Sequence, residues 1–175
     1  DYSLYQDLAT IYIDDKVAQY TKAVALLEKA RLKVKDNQFL NALLCRAYTQ
    51  LGEYKKVLAI ISTNSFAQFE GITGIYACYT TSCIEEGEAL FKKGDYAGAL
   101  KQFQASMNYP ESLGPGPMEN PPVAESQYWA GLALEKMKKK NEAVKAWRAA
   151  VEDGKRGDDR NKKFGAEADQ KLKSL

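Results

Sequence analysis

A recurring pattern of small, apolar and aromatic residues at fixed offsets constrains the fold of this chain more than any other feature. The clearest example runs from Gly87 to Phe103 and places a Gly-Asp-Tyr turn, residues 94–96, between two stretches of helical periodicity. Gly94 can close the first helix in a left-handed conformation, and the small Ala99 permits close contact between helices. The segment therefore predicts two antiparallel helices joined by a short turn.

Three further repeats emerge when the chain is aligned on equivalent positions. The four repeats begin at Tyr2, Gln38, Thr80 and Ala124, which are 36, 42 and 44 residues apart. They predict helix pairs over about residues 2–35, 38–66, 80–109 and 124–153. Trp147 occupies the aromatic position of the second helix in repeat 4, so we expect it to pack against the first helix of its own repeat.

Repeat 1 has a turn two residues longer than the others, and repeats 2 and 4 have unusual residues at positions of the pattern. Repeat 2 has Asn41 where a bulky apolar residue is usual and Asn64 where a small apolar residue is usual. Repeat 4 has Lys138 and Lys140 in place of Gly94 and Tyr96 of repeat 3. We therefore expect the turn of repeat 4 to be the least typical.

On these residues the pattern resembles the tetratricopeptide repeat. The resemblance implies an all-α fold in which antiparallel helix pairs stack as a right-handed α-solenoid, forming a single domain over residues 1–175. In that family the first helices of the pairs line a concave groove that binds a peptide or a partner helix. The groove-facing offsets of this chain hold Phe39, Ala42, Arg46, Ile84, Glu88, Phe91, Tyr128 and Leu132. The alternative, that several of them only pack against the segment between repeats 2 and 3, stays open.

Three segments lie outside the repeats. Residues 62–79 carry aromatic and aliphatic residues three or four apart, Phe69 and Ile72 among them, which predicts extra helical turns before repeat 3. Residues 108–122 contain all five prolines and predict a long irregular loop, either a binding element or a spacer. Residues 151–163 mix both signs of charge and suggest a solvated linker. The run 164–175 places Phe164, Ala168 and Leu172 on one helical face and predicts a terminal capping helix.

Composition argues against several classes of function. The chain has 25 basic and 23 acidic residues, so it lacks the strongly basic surface of a nucleic-acid binder. No stretch is long and apolar enough for a membrane span. Histidine is absent and Cys45, Cys78 and Cys83 lack metal-site spacing, so we expect free buried thiols, no metal site, no cofactor and no enzyme activity. Adjacent acidic pairs and the Lys136–Lys140 cluster are interpreted as surface and helix-end charges.

The resemblance also bears on partners. Some family members bind acidic chaperone tails through lysine, asparagine and arginine, but the matching positions here hold Gln6, Thr10, Leu43, Thr81 and Glu85. A chaperone C-terminal tail is therefore not expected as a partner. Residues 109–114 resemble a junction in large bacterial proteins that carry carbohydrate-associated β-sandwich domains. Two hypotheses follow: a protein-interaction module, or a structural spacer in such a larger protein, with localisation open between cytoplasm and, after removal of an upstream signal, periplasm or exterior.

Overall fold

The computed structural model describes residues 2–34, 36–66, 74–114 and 121–175. Within these residues the chain forms nine α-helices and one 3-10 turn, Glu111–Leu113, and no strand. The helices are α1 (Ser3–Ile13), α2 (Tyr20–Lys33), α3 (Gln38–Gln50), α4 (Tyr54–Thr63), α5 (Ile75–Lys92), α6 (Tyr96–Ser106), α7 (Ala124–Lys136), α8 (Lys140–Asp153) and α9 (Asp159–Lys173). The predicted fold class, all-α and built from helix pairs, is confirmed.

The first eight helices form four pairs that follow the four repeats. We call the first helix of each pair the A helix (α1, α3, α5, α7) and the second the B helix (α2, α4, α6, α8). Short turns join the helices within each pair. Short connections of this kind favour antiparallel neighbours.

By packing, the chain divides into two compact units. The N-terminal unit comprises residues 1–82 and 109–116, and the C-terminal unit comprises residues 83–108 and 117–175. In the N-terminal unit α1 packs against α2, α2 against α3, and α3 against α4. In the C-terminal unit α6 packs against α7, α7 against α8, and α9 against both α7 and α8. That all 175 residues form a single domain stays a prediction.

The two asparagines that break the pattern of repeat 2 pair with each other. The Nδ2 of Asn41 on α3 donates to the Oδ1 of Asn64, which follows α4, at 2.8 Å. The Asn41 side chain is 2% exposed, so an unpartnered amide there would be costly. A polar residue at one position therefore explains the polar residue at the other.

The core of repeat 4 is built on Trp147. Its side chain is fully buried, and its Nε1 donates to the carbonyl oxygen of Tyr128 at 3.3 Å. A Cβ at Gly131 of α7 would lie 2.5 Å from Cδ1 of the indole and 2.8 Å from its Cε2, so only glycine fits there. The prediction that Trp147 packs against helix A of its own repeat is confirmed.

The turns inside the pairs share one backbone conformation. Gly52 and Gly94 have φ angles of 72° and 84°, and Lys138 at the same offset in repeat 4 has φ of 62°. Glycine adopts this left-handed region without steric cost, whereas lysine does not. The turn of repeat 4 is therefore atypical in sequence, as expected, but has the same backbone conformation as the turns of repeats 2 and 3.

The terminal helix begins earlier than the sequence suggested. It starts at Asp159 and ends at Lys173, so most of the predicted solvated linker, residues 151–163, belongs to α8 or α9. Asp158 caps α9 by accepting from Asn161 N at 2.9 Å, and Asn161 is itself buried. Charge pattern alone gave the wrong boundary because these polar residues are used as caps and partners.

The described parts of the segments between repeats are structured, and the extra helical turns predicted before repeat 3 are present from Ile75. α5 begins at Ile75, five residues before the predicted start of repeat 3; the predicted helical residues Phe69 and Ile72 lie outside the described residues. In the proline-rich loop, Phe66 N donates to Ser112 O at 2.7 Å, and Leu113 is 2% exposed. Residues 109–114 of this loop therefore belong to the N-terminal unit, whereas residues 108, 121 and 122 belong to the C-terminal unit; residues 115–120 lie outside the described residues.

Candidate partner-binding surface

Three predicted groove residues lie on α3 in the N-terminal unit. The helix starts where it does because Asn37 Oδ1 accepts from Phe39 N at 3.0 Å and from Leu40 N at 3.1 Å. Phe39, Ala42 and Arg46 follow at spacings of three and four residues, which places them on one face. Phe39 is half-buried, Ala42 is buried and Arg46 is exposed. This face offers an aromatic ring, a small residue and a solvent-exposed guanidinium.

Three more lie on the second half of α5 in the C-terminal unit. Ile84, Glu88 and Phe91 are spaced by four and three residues, and they share a face for the same reason. Ile84 is buried, whereas Glu88 and Phe91 are half-buried. Burial raises the pKa of Glu88, and Lys92, whose Nζ lies 3.4 Å from Glu88 Oε2, opposes that rise. The face is therefore apolar with one partly desolvated carboxylate.

The remaining two, Tyr128 and Leu132 on α7, are partly occupied by the terminal helix. The Tyr128 ring packs on Phe164 of α9 at a centroid distance of 5.6 Å. Burial raises the pKa of Tyr128, and Glu167 of the same helix raises it further. Leu132 packs at the edge of the Trp147 cluster together with Leu172. Both side chains are half-buried, so they contribute to folding as well as to the surface.

A row of aromatic rings connects these positions in the C-terminal unit. Tyr96 contacts Phe91 at 5.2 Å, Phe91 contacts Trp129 at 5.7 Å, and Trp129 contacts Tyr128 at 5.9 Å between ring centroids. The edge-to-face geometry of all three contacts is a favourable one. The Trp129 Nε1 is buried and meets no acceptor in the described part of the chain. Sequence reasoning missed Trp129 because a residue next to Tyr128 points about 100° away on an ideal helix.

The start of α7 is held by residues at the end of α8 and at the start of α9. Val123 N donates to Asp153 Oδ2 at 3.1 Å, and Ala124 N donates to Asn161 Oδ1 at 2.8 Å. Arg160 makes two hydrogen bonds of 2.7 Å to the carboxylate of Glu125. These bonds satisfy free N–H groups of a helix start and fix α7 against α9. They were hidden from sequence analysis because residues 153–161 were assigned to a linker.

The described residues were compared with what a metal site, a reactive thiol or a membrane span requires. Across residues 2–34, 36–66, 74–114 and 121–175, no group of three or more His, Cys, Asp or Glu side chains is placed to hold a metal ion. Cys45, Cys78 and Cys83 are buried and form no disulfide bond, as predicted. Burial raises the pKa of Cys45 and of Cys78, which keeps both thiols protonated. No described helix is long and apolar enough to cross a bilayer.

The eight predicted groove residues are thus divided between the two units. Three lie together on α3, and five lie on α5 and α7. The predicted residues of each helix share a face, on which Ala42 and Ile84 are buried and the other six are half-buried or exposed. That all eight line one groove stays a prediction.

Comparison with known proteins supports the fold. A solved structure named MamA MSR-1 C2, a tetratricopeptide-repeat protein, superposes with a TM-score of 0.52 at 17% sequence identity, covering 89% of this chain and 78% of that one. No protein-family model and no curated protein matches the chain. A similarity at this sequence identity establishes a tetratricopeptide-like helical fold and does not establish a function.

Proposed function

We propose that this chain is a non-catalytic module that binds another polypeptide on the exposed faces of its A helices. Helix-pair repeats create extended surfaces suited to peptides and partner helices. The proposed surface consists of the eight residues predicted from the sequence, extended by Trp129. Aromatic side chains and arginine, which dominate binding energy in protein interfaces, are both present.

One observation carries the proposal: side chains at the surface offsets of the A helices vary freely between repeats. The same offset holds Arg46 in α3, Glu88 in α5 and Leu132 in α7, which are basic, acidic and apolar. The fold places no common demand on this position. Variation in charge and size on a shared scaffold face is what recognition of a particular partner requires.

The absence of usable catalytic groups supports binding over chemistry. The 175 residues include no histidine, which removes the commonest general base. Cys45, Cys78 and Cys83 are buried, and burial raises the pKa of Cys45 and of Cys78, so none of the three offers an accessible thiolate. We therefore expect the partner to be bound and released unchanged.

The test is capture of a partner from the native cell, followed by titration of that purified partner. Arg46→Ala and Phe91→Ala should each weaken binding by about five-fold or more. Arg46→Ala should leave the melting temperature nearly unchanged, whereas Phe91→Ala also removes ring contacts with Tyr96 and Trp129 and should lower it. Leu32→Ala on α2 is the matched control, because this leucine is 82% exposed and lies outside the proposed surface. Unchanged affinity in both surface variants would refute the assignment.

Tyr128 is tested by a substitution that keeps its ring. Its ring packs on Phe164, so Tyr128→Ala would remove core contacts as well as a surface group. Tyr128→Phe keeps the ring and removes only the hydroxyl. Reduced binding by this variant at unchanged stability would place the hydroxyl in the interface.

The same experiment addresses the alternatives. If Pro115→Ala and Pro117→Ala together abolish capture while Arg46→Ala and Phe91→Ala do not, the proline-rich loop is the binding element. If the isolated chain captures nothing, the hypothesis of a structural spacer in a larger protein gains.

A further inference from the structure

One carboxylate of the proposed surface is largely shielded from water. The side chain of Glu88 on α5 is 19% exposed, and helix spacing places it on one face with Ile84 and Phe91. Within the described residues it forms one ion pair, with Lys92, whose Nζ lies 3.4 Å from Oε2 and whose side chain is 73% exposed. An ion pair with so exposed an ammonium contributes little. Glu88 therefore retains the capacity to bind a further cation.

Two more carboxylates lie near Glu88 and leave the area negatively charged. Burial raises the pKa of Glu88, and Glu85 and Glu125 raise it further. The guanidinium of Arg160 makes two hydrogen bonds of 2.7 Å to Glu125 and is engaged there. Three carboxylates are thus accompanied by two cations, Lys92 and Arg160, so one negative charge is left uncompensated.

Aromatic rings adjoin the same carboxylate. Phe91 lies one turn after Glu88, and its ring contacts Trp129 at 5.7 Å between centroids. Trp129 in turn contacts Tyr128 at 5.9 Å. The face of an aromatic ring attracts a lysine ammonium or an arginine guanidinium. A carboxylate and aromatic rings side by side therefore favour a cation more than either group does alone.

The C-terminal unit already combines a cation with a ring at another place. Lys171 of α9 lies over the ring of Trp147, with its Nζ 5.5 Å from the ring centroid. In the part of the chain that the structure describes, no lysine or arginine lies over the ring of Phe91 or of Tyr128. The rings beside Glu88 are therefore open to a cation from outside the unit.

The charges around Tyr128 are balanced, in contrast to those around Glu88. Two carboxylates, Glu167 and Glu135, act on the Tyr128 hydroxyl. Each of them forms an ion pair with a lysine of α9, at 3.7 Å and 3.0 Å. The uncompensated negative charge therefore lies at the Glu88 end of the aromatic row.

We infer that the C-terminal part of the proposed surface recognises a lysine or arginine side chain of the bound polypeptide, with the cation at Glu88 and the aliphatic stem along Phe91. This inference rests on the proposed function and deepens it, because it names the chemistry of the partner. The rest of this face is apolar, so the partner segment carries its basic residue beside apolar ones. The helices that form the face, α5 and α7, both lie within the chain.

Two other occupants fit the charge of this face less well. The same face of a second copy would bring Glu88 of one molecule against Glu88 of the other, and like charges in contact repel. Of the residues outside the description, 67–73 and 115–120 contain one glutamate each, Glu70 and Glu119, and neither stretch contains lysine or arginine. A basic segment of the partner polypeptide is therefore the occupant that charge complementarity favours.

A phage-displayed library of random-sequence peptides, selected on the immobilised 175-residue protein, supplies the probe. The selected peptides should share a lysine or an arginine beside apolar residues. The strongest binder is then synthesised with a fluorescein label and titrated with the protein by fluorescence anisotropy. A counterpart with norleucine in place of the basic residue lacks the charge and should bind at least about ten-fold more weakly.

Substitutions on the protein assign the cation to Glu88. Glu88→Gln keeps the size of the side chain and removes its charge, so it should weaken binding of the basic peptide by about ten-fold or more. The same substitution should hardly change binding of the norleucine counterpart. The matched control is Glu142→Gln on α8, which removes a negative charge from a side chain that is 57% exposed and outside the surface. This control should leave the affinity unchanged.

An exchange of charges separates recognition from a purely structural role of the carboxylate. Glu88→Lys should bind a peptide with glutamate in place of its basic residue more tightly than it binds the original peptide. If neither Glu88 variant folds, the comparison of the basic and norleucine peptides on the wild-type protein decides the inference.

Three results would overturn the inference. The first is a set of selected peptides without lysine or arginine whose binding is weakened by Phe91→Ala or Arg46→Ala; the proposed function would then stand without this inference. The second is equal affinity of the basic peptide for the wild-type protein and for folded Glu88→Gln, or equal affinity of the basic and norleucine peptides for the wild-type protein. The third is an absence of saturable binding by any selected peptide, which would count against the proposed function as well.

Discussion

The two units build the contact between A and B helices from different residues. In the C-terminal unit a glycine on the A helix receives a large aromatic ring from the B helix, in the pairs Gly87 with Phe103 and Gly131 with Trp147. A Cβ at Gly87 would lie 2.5 Å from Phe103 Cε1 and 2.8 Å from its Cδ1. In the N-terminal unit the A helix has alanine or cysteine in place of the glycine, and the B helix has an aliphatic side chain in place of the ring. These pairs are Ala9 with Leu27 and Cys45 with Ile61, and all four residues are at most 1% exposed.

The difference teaches that volume is shared between the two offsets. Where the B helix supplies a larger side chain, the A helix supplies a smaller one, and the interior is filled in both units. Interiors are packed to crystal-like density, so neither offset can change alone without cost. The exposed positions of the A helices escape this restriction, which leaves them available for recognition.

The largest expected effect is at Trp147. Trp147→Ala should lower the free energy of unfolding by about 3–5 kcal/mol, because a fully buried ring is removed beside a glycine that cannot fill the space. Denaturant unfolding measures the loss. Ile61→Val at the same offset of repeat 2 is the comparison and should cost about 0.5–1.5 kcal/mol. A loss below about 1 kcal/mol for Trp147→Ala would show that the ring is not a core residue.

The asparagine pair of repeat 2 should show the next largest effect. Asn41→Ala removes the donor to Asn64 and should cost about 1–3 kcal/mol. Asn41→Leu combined with Asn64→Ala restores the usual apolar residues at both positions and should recover most of that loss. Ser62→Ala on the exposed side of α4 is the control. A double variant as unstable as Asn41→Ala would mean that the pair is not the reason for the two asparagines.

The smallest expected effect on stability concerns the turns of repeats 2 and 4. Lys138→Gly should raise the free energy of unfolding by about 0.5–1 kcal/mol, because lysine occupies a left-handed conformation that glycine adopts freely. Gly52→Ala, the reverse change at the same offset of repeat 2, should lower it. Thermal unfolding of the two variants side by side tests the sign. Loss of stability in Lys138→Gly would mean that the lysine side chain stabilises its turn by more than the backbone conformation costs.

Much of the fold follows from local sequence, for reasons the residues make plain. The helix pairs are identified by the turn glycines 52 and 94 and by the small and large residues at fixed offsets. These positions are determined by local helix and turn geometry. Trp147 was predicted as a buried residue from its offset, and the structure agrees. The free buried state of the cysteines followed from their spacing and the lack of histidine.

What escaped prediction depends on contacts between residues distant in sequence. Asn41 meets Asn64, Phe66 meets Ser112, and Asn161 meets Ala124. Each pairs a polar atom with a partner more than 20 residues away, and no periodicity reports such a pairing. The early start of α9 and the role of Trp129 belong to the same class. For the binding surface, the sequence identified helix faces but gave no account of how α9 covers part of α7.

A double-mutant cycle on Gly131 and Trp147 tests most directly the claim that the two helices of each pair are specified together. Gly131→Ala alone should cost about 1–3 kcal/mol through overpacking against the indole. In the background of Trp147→Leu the same substitution should cost nothing or stabilise, because leucine leaves room and alanine favours helix over glycine by about 1 kcal/mol. The account predicts a coupling free energy of at least about 1 kcal/mol from urea unfolding of the four proteins. Losses that add to within about 0.5 kcal/mol would contradict it.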